Sequence, residues 1–233
     1  MANDWLPAGL GSDDIDALAA EGRLEHVLRR HIVPLDGATP VIVAGGFFRI
    51  FRNAAFVRDV TLGLAARGDV LAPGAAFGDR SAETGAEALS EGHVLFLSAE
   101  AWQRRALAEP SLSLKMAASL GRRLVRLQTR LERLSRSGVE SRVAASLVEL
   151  ADDFGTPGPG GIRLDLPLSQ EDLARLAGTT RETCSSTVAS FARRGLVKGG
   201  RLRGLLVAER GALLELAEGG FPGAAGTPRR NSR

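Results

Sequence analysis

The sequence predicts an α+β chain in three parts: an N-terminal β-barrel, one long helix, and a C-terminal helix-turn-helix with a β wing. Three observations predict it. Short apolar runs separated by Gly-, Pro- and Asp-containing turns fill residues 32–97, the texture of a barrel or sandwich. Leucines recur at helical spacing after Pro110. A capped helix, a glycine turn and a second capped helix occupy residues 168–196, which is the helix-turn-helix pattern.

In chain order, residues 12–30 read as a helix. Ser12 can cap it, acidic residues fill its first turn, and Ile15, Leu18, Ala19, Leu24, Val27 and Leu28 recur at helical spacing with one break at Gly22. The barrel strands are expected at Val41–Ala44, Phe47–Phe51, Val60–Leu64, Val70–Ala72 and Val94–Leu97. Between them lie Asp36-Gly37, Gly45-Gly46, Arg67-Gly68-Asp69, Pro73-Gly74 and Gly92 as turns.

After Pro110, Ala117, Leu120, Leu124, Leu127, Leu131 and Leu134 are spaced alternately three and four apart. That is a narrow a/d seam, and pairing with an identical helix across a twofold axis would bury it. Packing of the stripe on the chain's own barrel is the other option. Arg122, Arg123, Arg126, Arg130, Arg133 and Arg136 fill the flanks and read as a solvated face. A second helix is expected over Val139–Phe154, with Val143, Leu147, Leu150, Ala151 and Phe154 inward. Gly155–Gly161 reads as a loop or hinge. The Gly/Pro/Ala/Arg-rich tail from Gly219 to Arg233 reads as disordered.

Within 168–196, Ser169 is an N-cap with Asp172 at the third helical position. Leu173, Ala174, Leu176 and Ala177 form an apolar face, and Gly178 ends the helix. Thr179 or Thr180 caps the second helix, which starts near Arg181 and turns Val188, Phe191 and Ala192 inward. Leu196-Val197-Lys198, Gly199-Gly200 and Arg201–Val207 then read as a two-stranded wing with a basic turn.

Composition bounds the function. The chain has 233 residues, 44% hydrophobic and 24% charged, an ordinary globular balance. No apolar run is long enough to span a membrane, and the N-terminus lacks the pattern of a signal peptide, so a cytoplasmic location is expected. Cys184 is the single cysteine, which excludes an intrachain disulfide and a multi-cysteine metal cage. His26 and His31 are five residues apart and make no evident metal pair, so no metal site is expected. Residues 1–100 carry a net charge of −6, residues 101–161 of +4 and residues 162–233 of +5. A basic C-terminal half points to an anionic partner, with nucleic acid as the default.

The stretch Ser169-Gln170-Glu171-Asp172-Leu173-Ala174, then Gly178, Thr180-Arg181-Glu182-Thr183 and Leu196-Val197 resembles the helix-turn-helix of the Crp/Fnr superfamily of bacterial transcription regulators. The order of parts along the chain is also similar to that family. The resemblance implies a cyclic-nucleotide-binding-like β-barrel sensor over 1–110, a dimerisation helix over 111–138 and a winged helix-turn-helix over 139–218, ahead of the tail 219–233. It implies double-stranded DNA and a second copy of the chain as partners, with RNA polymerase as a further candidate.

By the same resemblance the second helix enters the major groove N-terminus first. Arg181 would fork onto guanine and Glu182 would accept from cytosine N4. Gln170, Thr180, Thr183, Ser185 and the wing residues Arg201 and Arg203 complete the expected DNA contacts, mainly to phosphate. Ser186 stands where family members often carry a second basic residue, so that contact should be less selective. Cys184 reads as a small buried hydrophobe rather than a redox sensor.

Cyclic-AMP-binding members carry Gly-Glu and then Arg-Ser or Arg-Thr in a barrel loop. Arg80-Ser81 echoes the second element and is the candidate effector site, but the Gly-Glu is absent. No cofactor is expected, and the sequence names no effector. A ligand-binding signalling module whose winged helix docks a protein is the alternative function. An enzyme is not expected, because the chain has no nucleophile elbow, phosphate-cradling loop or HExxH motif.

Overall fold

Among the described residues of the first half of the chain, seven strands build two antiparallel sheets that stack as an open sandwich, which corrects the expected closed barrel. The computed structural model describes residues 9–35, 39–54, 57–72, 84–136, 138–199 and 203–219. The chain divides into two compact units, Met1–Leu131 and Glu132–Arg233.

In the first unit, β1 (Arg23–Val27), β7 (Gly92–Phe96) and β3 (Val41–Gly45) form one sheet in that order. β2 (Ile32–Leu35), β6 (Thr84–Ala88), β4 (Phe48–Ala54) and β5 (Val57–Ala65) form the other. Val27, Val41, Val43 and Val94 from the first sheet meet Val33, Phe48, Ile50, Ala86 and Ala88 from the second in one buried cluster. Two local features stop closure. β2 carries Pro34, which cannot donate to a ladder, so it suits an edge. Val70–Ala72, expected as a strand, contributes a single bridge between Val70 and Ile42.

The expected helix over 12–30 is also corrected. α1 (Ser12–Ala19) ends early, and its second half is the strand β1. Gly22 explains the break: a Cβ there would lie 2.7 Å from the Phe96 carbonyl oxygen, so only glycine lets the chain enter the β1–β7 ladder. The cap is not Ser12. Gly11 precedes the helix, and its N–H donates to Asp14 Oδ2 at 2.6 Å.

α2 (Ala99–Ala108), capped by Ser98, leads into α3 (Pro110–Arg136). Leu112 and Met116 of α3 join Ile15, Leu18 and Trp102 in a second buried cluster, with Leu120 packed against it. Polar contacts fix the same face. Lys115 Nζ lies 2.7 Å from Asp14 Oδ1, Ser119 Oγ donates to Asp69 Oδ1 at 3.4 Å, and Arg123 Nη1 donates to the Val70 carbonyl at 3.4 Å. Arg123 is therefore not part of a solvated face, as the sequence had suggested. Burial pushes its pKa down and pushes the Asp69 carboxyl up.

One buried charge cluster sits on the face of the four-stranded sheet opposite its core. Arg49, only 3% exposed, donates through Nε and Nη2 to Glu87 Oε2 at 3.0 and 2.7 Å. Arg30 Nη1 donates to Glu87 Oε1 at 2.6 Å, and the Arg49 guanidinium lies 4.6 Å from the Phe51 ring centre. Burial raises the Glu87 pKa, but the hydrogen bonds and charges of the two arginines outweigh it and hold the carboxyl below its ordinary value. A depressed carboxyl stabilises the fold above its unfolded-state pKa and loses that contribution as pH falls through the folded value. Glu87→Gln should cost about 3 kcal/mol at pH 7, the low end for breaking one partner of a buried pair. Thermal melts of both proteins at pH 7 and pH 3 check this, since the gap between them should narrow in acid.

The second unit holds α4 (Val139–Phe154), β8 (Thr156–Gly158), β9 (Gly161–Asp165), α5 (Gln170–Ala177), α6 (Arg181–Arg193), β10 (Val197–Lys198), β11 (Arg203–Val207) and α7 (Arg210–Ala217). The segment Gly155–Gly161, expected as a loop or hinge, is a tight hairpin between β8 and β9. Gly160 and Gly161 have φ of 81° and 137°, and a Cβ on Gly161 would lie 2.1 Å from the Val207 carbonyl oxygen. Gly161 serves close approach, and Gly160 supplies the left-handed backbone of the turn. The four strands form one sheet in the order β10-β11-β9-β8. Val143, Leu147, Leu150 and Ala151 of α4 are buried as expected, while Phe154 is half-buried.

Candidate nucleic-acid interface

The interface is assembled from local signals that each have a physical cause. Ser169 caps α5 by accepting from the Asp172 N–H at 3.2 Å, and the Asp172 carboxylate accepts from the Ser169 N–H at 2.8 Å. These reciprocal bonds satisfy two orphan donors of the helix start. Leu173, Ala174 and Ala177 are buried. Gly178 ends α5 with φ 62° and ψ 46°, the left-handed conformation that glycine adopts most readily. A Cβ at Gly178 would also stand 2.7 Å from Leu134 Cδ2.

Three residues later α6 begins. Thr180 caps it, with Oγ1 accepting from the Thr183 N–H at 3.2 Å and lying 3.0 Å from Thr183 Oγ1. Cys184, Val188 and Phe191 bury the inner face. Ala192, expected inward, is exposed, because Phe191, one position earlier, takes the inward place in that turn.

The opposite face of α6 is open. Arg181, Glu182, Thr183 and Ser186 are exposed, while Ser185 is half-buried. Neither Arg181 nor Glu182 has a hydrogen-bond or ion-pair partner among the described residues. Ser186 Oγ donates to the Thr183 carbonyl at 2.9 Å, so its proton is committed to the helix and its lone pairs face outward. Gln170 is half-buried at the start of α5 and Arg203 is exposed on β11. Arg201, Arg80, Ser81 and the tail beyond 219 lie outside the described residues.

The expected DNA contacts leave out two basic side chains of the wing sheet. Lys198 pairs with Leu206, which pairs with Arg163, so the two cations share one row across three strands. Both are exposed. The period-two alternation of 161–165 could have placed Arg163 there, but those residues follow glycines that read as loop.

The Cys184 side chain is buried, and burial pushes its thiol up to about 11. Thiolate is the reactive form, so the folded protein should resist alkylation near neutral pH. Labelling with a thiol reagent should track unfolding in denaturant. Fast labelling of the native protein would contradict the buried placement.

The expected seam on α3 divides. Leu120 packs against its own domain and Leu127 is half-buried, whereas Ala117, Leu124, Leu131 and Leu134 are exposed. Leu124 is 56% and Leu131 66% exposed, Val125 is exposed beside Leu124, and Leu114 is exposed nearer the start of the helix. Leu120 thus takes the own-domain option, while Leu124 and Leu131 keep the exposure that pairing would require.

Comparison with known proteins decides the relationship. Residues 141–216 match the model of the Crp-like helix-turn-helix domain. The CRP-like cAMP-activated global transcriptional regulator of Mycobacterium tuberculosis is 30% identical over 157 residues, covering 67% of this chain and 70% of that protein. The chain belongs to the Crp/Fnr superfamily. The cyclic AMP receptor protein of Thermus thermophilus is 30% identical over 185 residues, 77% of this chain and 79% of its own. A CooA mutant from Carboxydothermus hydrogenoformans superposes with a TM-score of 0.73 at 25% identity, covering 86% of this chain and 90% of that one. Crp/Fnr proteins are transcription regulators that bind DNA through the helix-turn-helix, not enzymes. Among the described residues no helix is long and apolar enough to cross a membrane.

Proposed function

We propose that this Crp/Fnr protein is a homodimeric regulator, acting in the cytoplasm, that reads a pseudo-palindromic operator with α6. One observation carries the reading: at the first turn of α6 an arginine and a glutamate stand exposed and without partners among the described residues. A guanidinium forks onto guanine O6 and N7, and a carboxylate accepts from cytosine N4. Thr180, Thr183 and Ser186 flank them, and Gln170, Arg163, Lys198, Arg201 and Arg203 supply phosphate contacts. A row of exposed leucines on α3 would be buried by a second copy of α3. RNA polymerase is the further partner such a regulator would meet.

Binding is proposed to need no cyclic nucleotide, because the Gly-Glu element that accompanies Arg-Ser in cyclic-AMP-binding members is absent. The test is selection of bound duplexes from a random library by the purified full chain, with and without cyclic AMP. A twofold-symmetric consensus enriched equally in both arms is expected. Enrichment of no sequence, or salt-sensitive binding to all duplexes alike, would overturn the reading and favour a winged helix that docks protein.

A further inference from the structure

Glu140, Ser141 and Arg142 are consecutive residues in the first turn of α4, and each reaches the C-terminal end of a different helix. Glu140 pairs with Arg194, the residue that ends α6. The Ser141 hydroxyl, buried, donates to the carbonyl of Ala217, the last residue of α7, at 2.8 Å. Arg142 donates through Nε to the Ala177 carbonyl at 2.9 Å and through Nη2 to the Gly178 carbonyl at 3.2 Å. At about 100° per residue, three successive helical positions point in three directions, which is how one turn holds three ends.

The Arg142 contact matters most. The last carbonyls of a helix lack intrahelical partners and carry the negative end of its dipole. A planar guanidinium can satisfy two of them at once, which an ammonium cannot do in the same geometry. The two carbonyls it holds lie at the end of α5 and at the turn glycine, three residues before Arg181. Leu134 closes over the same glycine.

We propose that Arg142 is a positioning residue for base reading: it fixes the α5–α6 turn and so the direction in which α6 presents Arg181 and Glu182. This rests on the DNA-reading function above. Recognition groups need support to within about 0.5 Å and 10–20°, so a loosened turn lowers selectivity more than it lowers charge-driven binding.

The experiment measures dissociation constants of the full chain for its selected operator and for an unrelated duplex of equal length at one salt concentration. Arg142→Gln is expected to lower the operator-to-unrelated ratio about twentyfold, within the range of losing one good base contact. Arg142→Lys keeps the charge but not the fork, and is expected to lose only about three- to fivefold. A purely stabilising role would lower the melting temperature and leave the ratio of the folded protein unmoved. A ratio within about twofold of wild type in folded Arg142→Gln overturns the inference. Where that variant does not fold, Arg142→Lys decides by the same ratio, an unchanged value overturning it. If the wild type selects no operator, the DNA-reading function itself fails. If it selects one and the ratio does not move, only the role of Arg142 fails.

Discussion

Arg181→Ala should abolish operator recognition while leaving general DNA affinity largely intact. A bidentate guanidinium–guanine contact is worth about 1–3 kcal/mol of discrimination. A dimer makes it twice, so the variant should lose about 2–6 kcal/mol, or roughly 30-fold to 10⁴-fold, in operator affinity. Binding to an unrelated duplex should change little, because phosphate charge neutralisation dominates there. Glu182→Ala should behave differently. It removes an acceptor that also repels wrong partners, so base preference at its position relaxes while affinity for variant sites rises. Fluorescence titrations on the selected operator and on single-base variants check both. Unchanged affinity and preference in both variants would leave the exposed tip of α6 without a role.

Leu124→Glu should convert the protein to a monomer. Leu124 is more than half exposed on α3, beside Val125 and one turn on from Leu120, which packs on its own domain. Burying a leucine contributes about 1.5–3 kcal/mol. Each copy carries one, so the substitution removes about 3–6 kcal/mol and raises the dimer dissociation constant by about two to four orders of magnitude, before any repulsion between the new carboxylates. Operator affinity falls with it, since one protomer reads one half-site. Leu120→Ala, in contrast, should lower the melting temperature and leave the association state alone. Sedimentation equilibrium on the three proteins separates the two roles. A dimeric Leu124→Glu of wild-type affinity would place the interface elsewhere.

The winged helix-turn-helix was the most legible part of the sequence, and the reason is local. Ser169 with Asp172, Gly178 and Thr180 are capping and turn residues whose effect is confined to their own helix ends, and each does in the structure what its side chain allows. Long-range pairing was less legible. Residues 23–27 carry Leu24 and Val27 three apart, a helical spacing, and the β1–β7 ladder overrides it, leaving Val27 buried and Leu24 exposed. β2 and β6 escaped notice because Pro34 and the small residues of Thr84–Ala88 give no strong strand signal. The hairpin at Gly155–Gly161 reads as a loop or hinge because the need for glycine at 161 comes from a contact with Val207, distant in sequence. At the candidate site, sequence singled out the α6 residues but not Arg163, Lys198 or Arg142. Their roles depend on register across the sheet and on where α4 meets the ends of other helices.

Two copies of Arg181 are proposed to enter the major groove of one duplex. Guanine N7 methylation interference on the selected operator tests it most directly, because N7 is an atom the fork would grip. Interference is expected at one guanine in each half-site, the two separated by about one helical turn of 10–10.5 base pairs, and it should disappear with Arg181→Ala. Interference that persists unchanged in that variant, or none at any guanine, would contradict it.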